Sequence, residues 1–255
     1  MPIADFTLNG KVAIITGGSR GIGRAIAVGM AEAGAKVVVA ARKAGDLEEA
    51  AGAVKAAGGE VLTVETNVRD MAALENLVKQ TTERFGRLDV LVNNAATNPM
   101  FGPIANIDER AWDVVLNTNL KSLFFLSKLA REVMKGNGGG SIINVSSTGG
   151  LRPGRGLGMY SVSKAAVIML TRVCAAEWGA DSIRVNCVAP GLIKTEFSRA
   201  LWDDEQRLKT TTSQMPAGRI GESDDLVGAA IYLASDASSY VTAQTIVVDG
   251  GQTGA

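Results

Sequence analysis

Histidine is missing altogether from the 255 residues of this chain. Its absence removes Ser-His-Asp hydrolysis, Cys-His catalysis and most zinc chemistry, each of which needs an imidazole as base or ligand. Cysteine is nearly absent as well: Cys174 and Cys187 are the only two, both in apolar surroundings, with no CxxC pair. Two buried free thiols in a reducing compartment are expected, with no disulfide and no metal site. Nor is there an excess of either charge. Lys+Arg number 26 and Asp+Glu 26, with a sequence pI near 6.4, so nothing draws the chain to nucleic acid or to an anionic membrane surface. The start Met1-Pro2-Ile3-Ala4-Asp5-Phe6 has no basic segment followed by an apolar core, and no uninterrupted apolar run reaches about 18 residues. We therefore expect neither a signal peptide nor a membrane span, and a cytoplasmic location.

What the chain does have is a 46% share of hydrophobic residues, arranged in alternating strand-like and helix-like segments. The strands are read at Val12–Ile15, Val37–Ala40, Glu60–Glu65, Leu88–Val92, Ser141–Val145, Ile183–Val188 and Thr245–Val248. Helices are read after Gly21, over Met71–Phe85, Glu109–Met134 and Asp224–Ala234, from Tyr160 onward, and in a region ending near Met215. Such alternation predicts an α/β chain: one Rossmann-type doubly wound domain over 1–255, with a seven-stranded parallel sheet covered by helices on both faces. In that architecture the functional groups lie at the C-terminal ends of the strands.

The first strand leads straight into Thr16-Gly17-Gly18-Ser19-Arg20-Gly21-Ile22-Gly23, and a helical stripe of Ile22, Ile26, Met30 and Ala33 follows, ending at Gly34. Glycines at 17, 21 and 23 permit a tight turn, close approach of a diphosphate to the backbone and close packing of helix on strand. The helix N-terminus then offers free N–H groups to that anion. At the end of the second strand, where an NAD-binding chain carries Asp or Glu for the ribose 2′-hydroxyl, this one has Ala41 followed by Arg42. No carboxylate repels a 2′-phosphate there, and Arg42 and Arg20 are suited to grip one. The expected cofactor is NADP(H).

Tyr160 and Lys164 are four residues apart, on one face of a helix. An ammonium near a phenol favours the phenolate, so this spacing predicts a tyrosine with a lowered pKa that exchanges a proton with a carbonyl or alcohol. Other polar residues stand at strand ends: Asn93-Asn94-Ala95-Ala96, Ser146-Ser147 and Pro190-Gly191. Asn119 lies within the long helix, where it is placed to interrupt regular hydrogen bonding or to recruit a water.

Taken together, these motifs resemble the short-chain dehydrogenase/reductase family from Lys11 to Gly251. Thr16 to Gly23 matches TGxxxGxG and Asn93-Asn94-Ala95 the start of NNAG. Asn119, Ser147, Tyr160 and Lys164 match the catalytic tetrad, with Ser147 thirteen positions before Tyr160, and Asp249-Gly250-Gly251 matches the C-terminal end. The resemblance implies that the dinucleotide lies against Gly17, Ser19, Arg20, Gly21, Ile22, Gly23, Arg42, Asn67, Val68, Asn94 and Ala95. At its nicotinamide end it implies Tyr160, Lys164, Pro190, Gly191, Ile193 and Thr195. It further implies that Tyr160 is the acid, that Ser147 holds the carbonyl oxygen, that Lys164 holds the nicotinamide ribose, and that Asn119 supports a water relay.

Two positions depart from the pattern: Ala96 stands where glycine is common, and Asn67-Val68 where Asp-Val is common. Within the family, Asn94 to Pro99 and Ala189 to Thr195 look most like the NADPH-dependent carbonyl and retinal reductases. The expected reaction interconverts a ketone or aldehyde and its alcohol. A 3-oxoacyl-thioester reductase and a non-catalytic NADP sensor are the alternatives. Phe197, Leu201, Trp202 and Met215 suggest an apolar substrate pocket, and the resemblance implies a homotetramer built partly on the last strand.

Overall fold

The computed structural model describes residues 4–254. Seven parallel strands, β1 (Val12–Thr16), β2 (Lys36–Ala41), β3 (Val61–Glu65), β4 (Val90–Asn93), β5 (Gly140–Val145), β6 (Ile183–Pro190) and β7 (Thr245–Val248), form one sheet in the order β3-β2-β1-β4-β5-β6-β7. The order reverses between β1 and β4, and this topological switch point opens a crevice at the strand C-termini.

Period-two alternation decides what each face covers. Ala13, Ile15, Val37, Val39, Val90 and Val92 point into one apolar layer, which they share with α1 (Gly21–Glu32), α2 (Ala44–Ala56) and α8 (Val227–Ala234). Val12, Ile14, Val38, Ala40 and Leu91 point into the other, against α3 (Met71–Phe85), α5 (Ser122–Gly136) and α6 (Gly158–Trp178). With both faces covered, the central strands are apolar at nearly every position, and β1 is buried throughout.

Most expected elements are present, with differences that have physical causes. The helix expected over Glu109–Met134 is broken into α4 (Glu109–Leu116), a π-type turn over Asn117–Lys121, and α5. Strand β6 runs two residues further than expected, to Pro190, which pairs with Val248 on edge strand β7. The region ending near Met215 contains a short α7 (Glu205–Thr212). Helix α2 is an addition that the sequence did not reveal; only Leu47, Ala50 and Val54 of it are buried.

Asn93, read as a strand-end residue, is a buried core residue. Its amide donates to Ser127 Oγ and Asn144 Oδ1, both at 2.9 Å, and Asn144 in turn donates to Thr171 Oγ1 at 2.9 Å. This ladder joins β4 and β5 to α5 and α6 without leaving a buried amide unpaired. The stretch 158–181 is long and apolar enough to cross a membrane, but half of it is buried within the protein, with Val167, Ile168, Cys174 and Trp178 in the interior. It is a core helix of this fold. Both cysteines are free and buried, and burial pushes each thiol up to about 11.

Candidate active site

A cleft of about 790 Å³ runs across the strand C-termini. One end is built by the turn after β1. Gly17 and Gly21 have φ of +62° and +52°, a conformation that disfavours any side chain. Gly23 is required by space: a Cβ there would meet Gly17 O at 2.3 Å and Asn94 Nδ2 at 2.5 Å. At Gly21 a Cβ would lie 3.2 Å from Thr195 Cγ2, so Thr195 closes over this turn. No side chain caps α1 and its first turn carries no acid, which leaves its N–H groups available to a diphosphate.

Four cations, Arg20, Arg42, Lys43 and Arg69, line the cleft together with Asp46, and none of the four forms an ion pair among the described residues. Lys43, Asp46, Thr66 and Arg69 join the expected residues; they come from the start of α2, where Lys43 is the N-cap, and from the turn after β3. Of the expected dinucleotide residues, all but Gly23 line the cleft, and Gly23 lies behind it.

The other end is built from β5 and α6. Ser147 follows β5 and caps the turn Thr148–Gly150, accepting from Gly149 N at 3.0 Å. Lys164, only 2% exposed, is fixed twice to the end of β5. Its Nζ donates to Val145 O and its own carbonyl accepts from Ser146 Oγ, both at 2.7 Å. Tyr160 precedes it by one turn, with the ammonium 5.6 Å from the ring centroid. Ser147, Tyr160 and Lys164 thus line one wall of the cleft.

Asn119 stands behind this wall, buried in the π-type turn. Its Oδ1 accepts from Thr97 N at 2.8 Å, and its Nδ2 donates to Thr97 O and Ser163 Oγ, each at 3.0 Å. Ser163 Oγ passes the link on to Tyr160 O at 2.7 Å. The side chain of Asn119 therefore pins the segment after β4 to α6, with both amide hydrogens committed.

The electrostatics differ from the expectation in one respect. Burial pushes the Tyr160 phenol up to about 12, and the neighbouring Ser147 hydroxyl pulls it only part of the way back. The ring is half-buried and faces the cleft. Burial also lowers Lys164 to about 8. Desolvation penalises both charged forms and outweighs the pull of the ammonium on the phenol that spacing alone predicts.

Of the expected substrate residues, Phe197 and Leu201 line the cleft, and Phe197 lies 5.9 Å from Tyr160 ring to ring. The other two do not line it. Trp202 turns its indole N–H onto Ser198 Oγ at 3.0 Å, and Met215 is buried in the interior. The cleft is also more polar than expected: Arg152, Gln214, Gln252 and Thr253 line it as well.

Residues 17–253 match the family model described as enoyl-(acyl carrier protein) reductase. The chain is 40% identical over 244 residues to rabbit (Oryctolagus cuniculus) dehydrogenase/reductase SDR family member 4, covering 96% of this chain and 94% of the relative. The chain belongs to the short-chain dehydrogenase/reductase family. It is also 40% identical over 252 residues to 2-dehydro-3-deoxy-D-gluconate 5-dehydrogenase of Dickeya dadantii, covering 98% of each chain. Among solved structures, gluconate 5-dehydrogenase from Burkholderia cenocepacia, in complex with NADP and tartrate, superposes with a TM-score of 0.94 at 36% identity, over 99% of this chain and 98% of that one. As a short-chain dehydrogenase/reductase, the protein is an oxidoreductase.

The lowered pKa of Lys164 has a consequence for stability. Between about 8 and its ordinary 10.5 the unfolded chain holds a proton that the folded one has lost, so stability gains from this residue as pH rises through that window. Lys164→Met removes the burial cost. Its stability relative to wild type is expected to be most favourable below pH 8, and the difference to narrow by roughly 3 kcal/mol at most on going to pH 10.5. Denaturant titrations of both proteins across that range check this; a difference independent of pH would contradict it.

Proposed function

We propose that the protein reversibly interconverts a ketone or aldehyde and its alcohol, using NADP(H) as the hydride carrier. The observation that carries this reading is the convergence of Ser147, Tyr160 and Lys164 on one wall of the cleft whose other end is the glycine turn. When bound, the nicotinamide supplies or accepts the hydride. Tyr160, held as a neutral phenol, donates the proton to the carbonyl oxygen, and Ser147 holds that oxygen by its hydroxyl. Lys164 is positioned to hold the nicotinamide ribose and to return a proton toward Tyr160. Asn119 acts through structure, keeping the π-type turn and α6 in register.

For the cofactor, the supporting observations are Ala41 in place of an acid, the unpaired Arg20 and Arg42, and the presence of NADP in the Burkholderia relative. Asn67 and Val68 line the cleft beside them and would meet the adenine. A second substrate class, acyl thioesters, is favoured by the description of the matching family model; acetoacetyl thioesters belong beside ketones and aldehydes in a substrate screen. The subunits are proposed to form a homotetramer through the edge strand β7, α8, and the exposed apolar face of Val162, Met169 and Val173 on α6.

Three outcomes test this reading. Tyr160→Phe keeps the ring and removes the acid, and turnover is expected to fall on the order of 10²–10⁴-fold; near-normal turnover in a folded variant would sink the assignment. Arg42→Ala is expected to weaken NADPH binding about ten- to a hundredfold, with NADH nearly unaffected; equal affinity of wild type for the two cofactors would show that Arg42 does not read the 2′-phosphate. Light scattering should return about four times the 26.5 kDa chain mass, and a monomer persisting at micromolar concentration would rule out the tetramer.

A further inference from the structure

We propose that Arg152 is a specificity residue that selects substrates carrying a carboxylate on an otherwise apolar skeleton, an oxo acid or its hydroxy counterpart. The proposal rests on the hydride-transfer reading above. Arg152 lies just beyond the turn capped by Ser147, with its backbone N–H donating to Thr148 O at 2.9 Å. One guanidinium nitrogen, Nη2, donates to Thr253 O on the C-terminal tail. Both Arg152 and Thr253 line the cleft that holds Tyr160. The guanidinium is therefore held between the loop that presents Ser147 and a second segment of the cleft wall.

That tether is to a neutral carbonyl and brings the guanidinium no counter-charge among the described residues. No described carboxylate pairs with Arg152. Asp249 and Glu196 are held by other partners. Asp249 accepts from Gly251 N, Thr253 N and Thr253 Oγ1 at 2.7 to 2.9 Å, and Glu196 pairs with Arg199 at 3.6 Å.

Phe101, Leu157, Phe197 and Leu201 supply the apolar part of the cleft lining. A guanidinium presents paired N–H groups that match a carboxylate. Arg152 is exposed to the cleft, so an uncharged substrate leaves its guanidinium to water, whereas a carboxylate gains a charge-assisted, forked contact there.

The test compares an aryl-substituted oxo acid with its methyl ester, using NADPH and three proteins: wild type, Arg152→Gln and Arg152→Lys. In Arg152→Gln the ratio of kcat/KM for acid over ester is expected to fall about ten- to a hundredfold, chiefly through KM for the acid. Arg152→Lys, which keeps the charge but loses the fork, should restore part of it. An unchanged ratio would overturn the proposal while leaving hydride transfer intact. If neither compound is turned over, the hydride-transfer reading is what fails for this substrate class, and calorimetric titration of the corresponding saturated aryl carboxylic acid decides the role of Arg152. Binding weakened by the same factor in Arg152→Gln supports it; equal affinity in the two proteins, or no binding to either, overturns it.

Discussion

Everything in the cleft is referred to the junction between Thr16 and Asn94. Thr16 Oγ1 accepts from the backbone N–H groups of Asn94 and Ala95 at 3.0 and 3.1 Å, and donates to Val92 O at 3.3 Å. Asn94 answers by donating its amide to Thr16 O and Gly17 O at 3.0 and 3.1 Å. These bonds bridge β1 and β4, the two strands that flank the reversal in sheet order, at the point where no strand pairing continues to hold them. Each is worth only about 0.5–1.5 kcal/mol net, but a buried donor stripped of its partner costs about 1–3 kcal/mol. The junction therefore resists partial opening. It also explains why residue 23 must be glycine, since any side chain there would enter the space that Gly17 O and Asn94 Nδ2 occupy.

A second set of buried polar contacts carries that order to the reacting wall. Asn119 joins the backbone of Thr97, three residues past Asn94, to Ser163 on α6, and Ser163 bonds back to the carbonyl of Tyr160. Lys164 is tied to the end of β5 by side chain and by main chain. The phenol and the ammonium are thus positioned by hydrogen bonds that continue from the switch point, in a setting where desolvation works against both charges. The same burial that destabilises them keeps the Tyr160 phenol neutral over the ordinary pH range.

Much of this was legible in the sequence, and the reasons are local. The glycine turn, the strand alternation and the four-residue spacing of Tyr160 and Lys164 are statements about neighbours in the chain, and local geometry obeys them. Met71–Phe85 was readable to the residue because Asp70 caps its start and Gly86 ends it in the left-handed region. Helix α2 was not readable, because Gly45 and Gly52 dilute its helical signal and only three of its side chains are buried. The direction of the Tyr160 pKa was hidden for a different reason: spacing reveals the nearby ammonium but not the desolvation that outweighs it. Trp202 and Met215 look like pocket residues by type, yet a hydrogen bond and the interior claim them. The meeting of Arg152 with Thr253 joins positions 101 residues apart, which no local pattern reports.

On the proposed reaction, a hydride passes directly between the nicotinamide and a substrate carbon in this cleft. The measurement that tests it most directly is reduction of an accepted ketone or aldehyde with NADPH carrying deuterium at C4, using each C4 epimer in turn. One epimer is expected to deliver its deuterium quantitatively to the carbinol carbon of the product and the other to retain it on NADP. Product that is free of deuterium with both epimers, or labelled instead from deuterated solvent at that carbon, would contradict it.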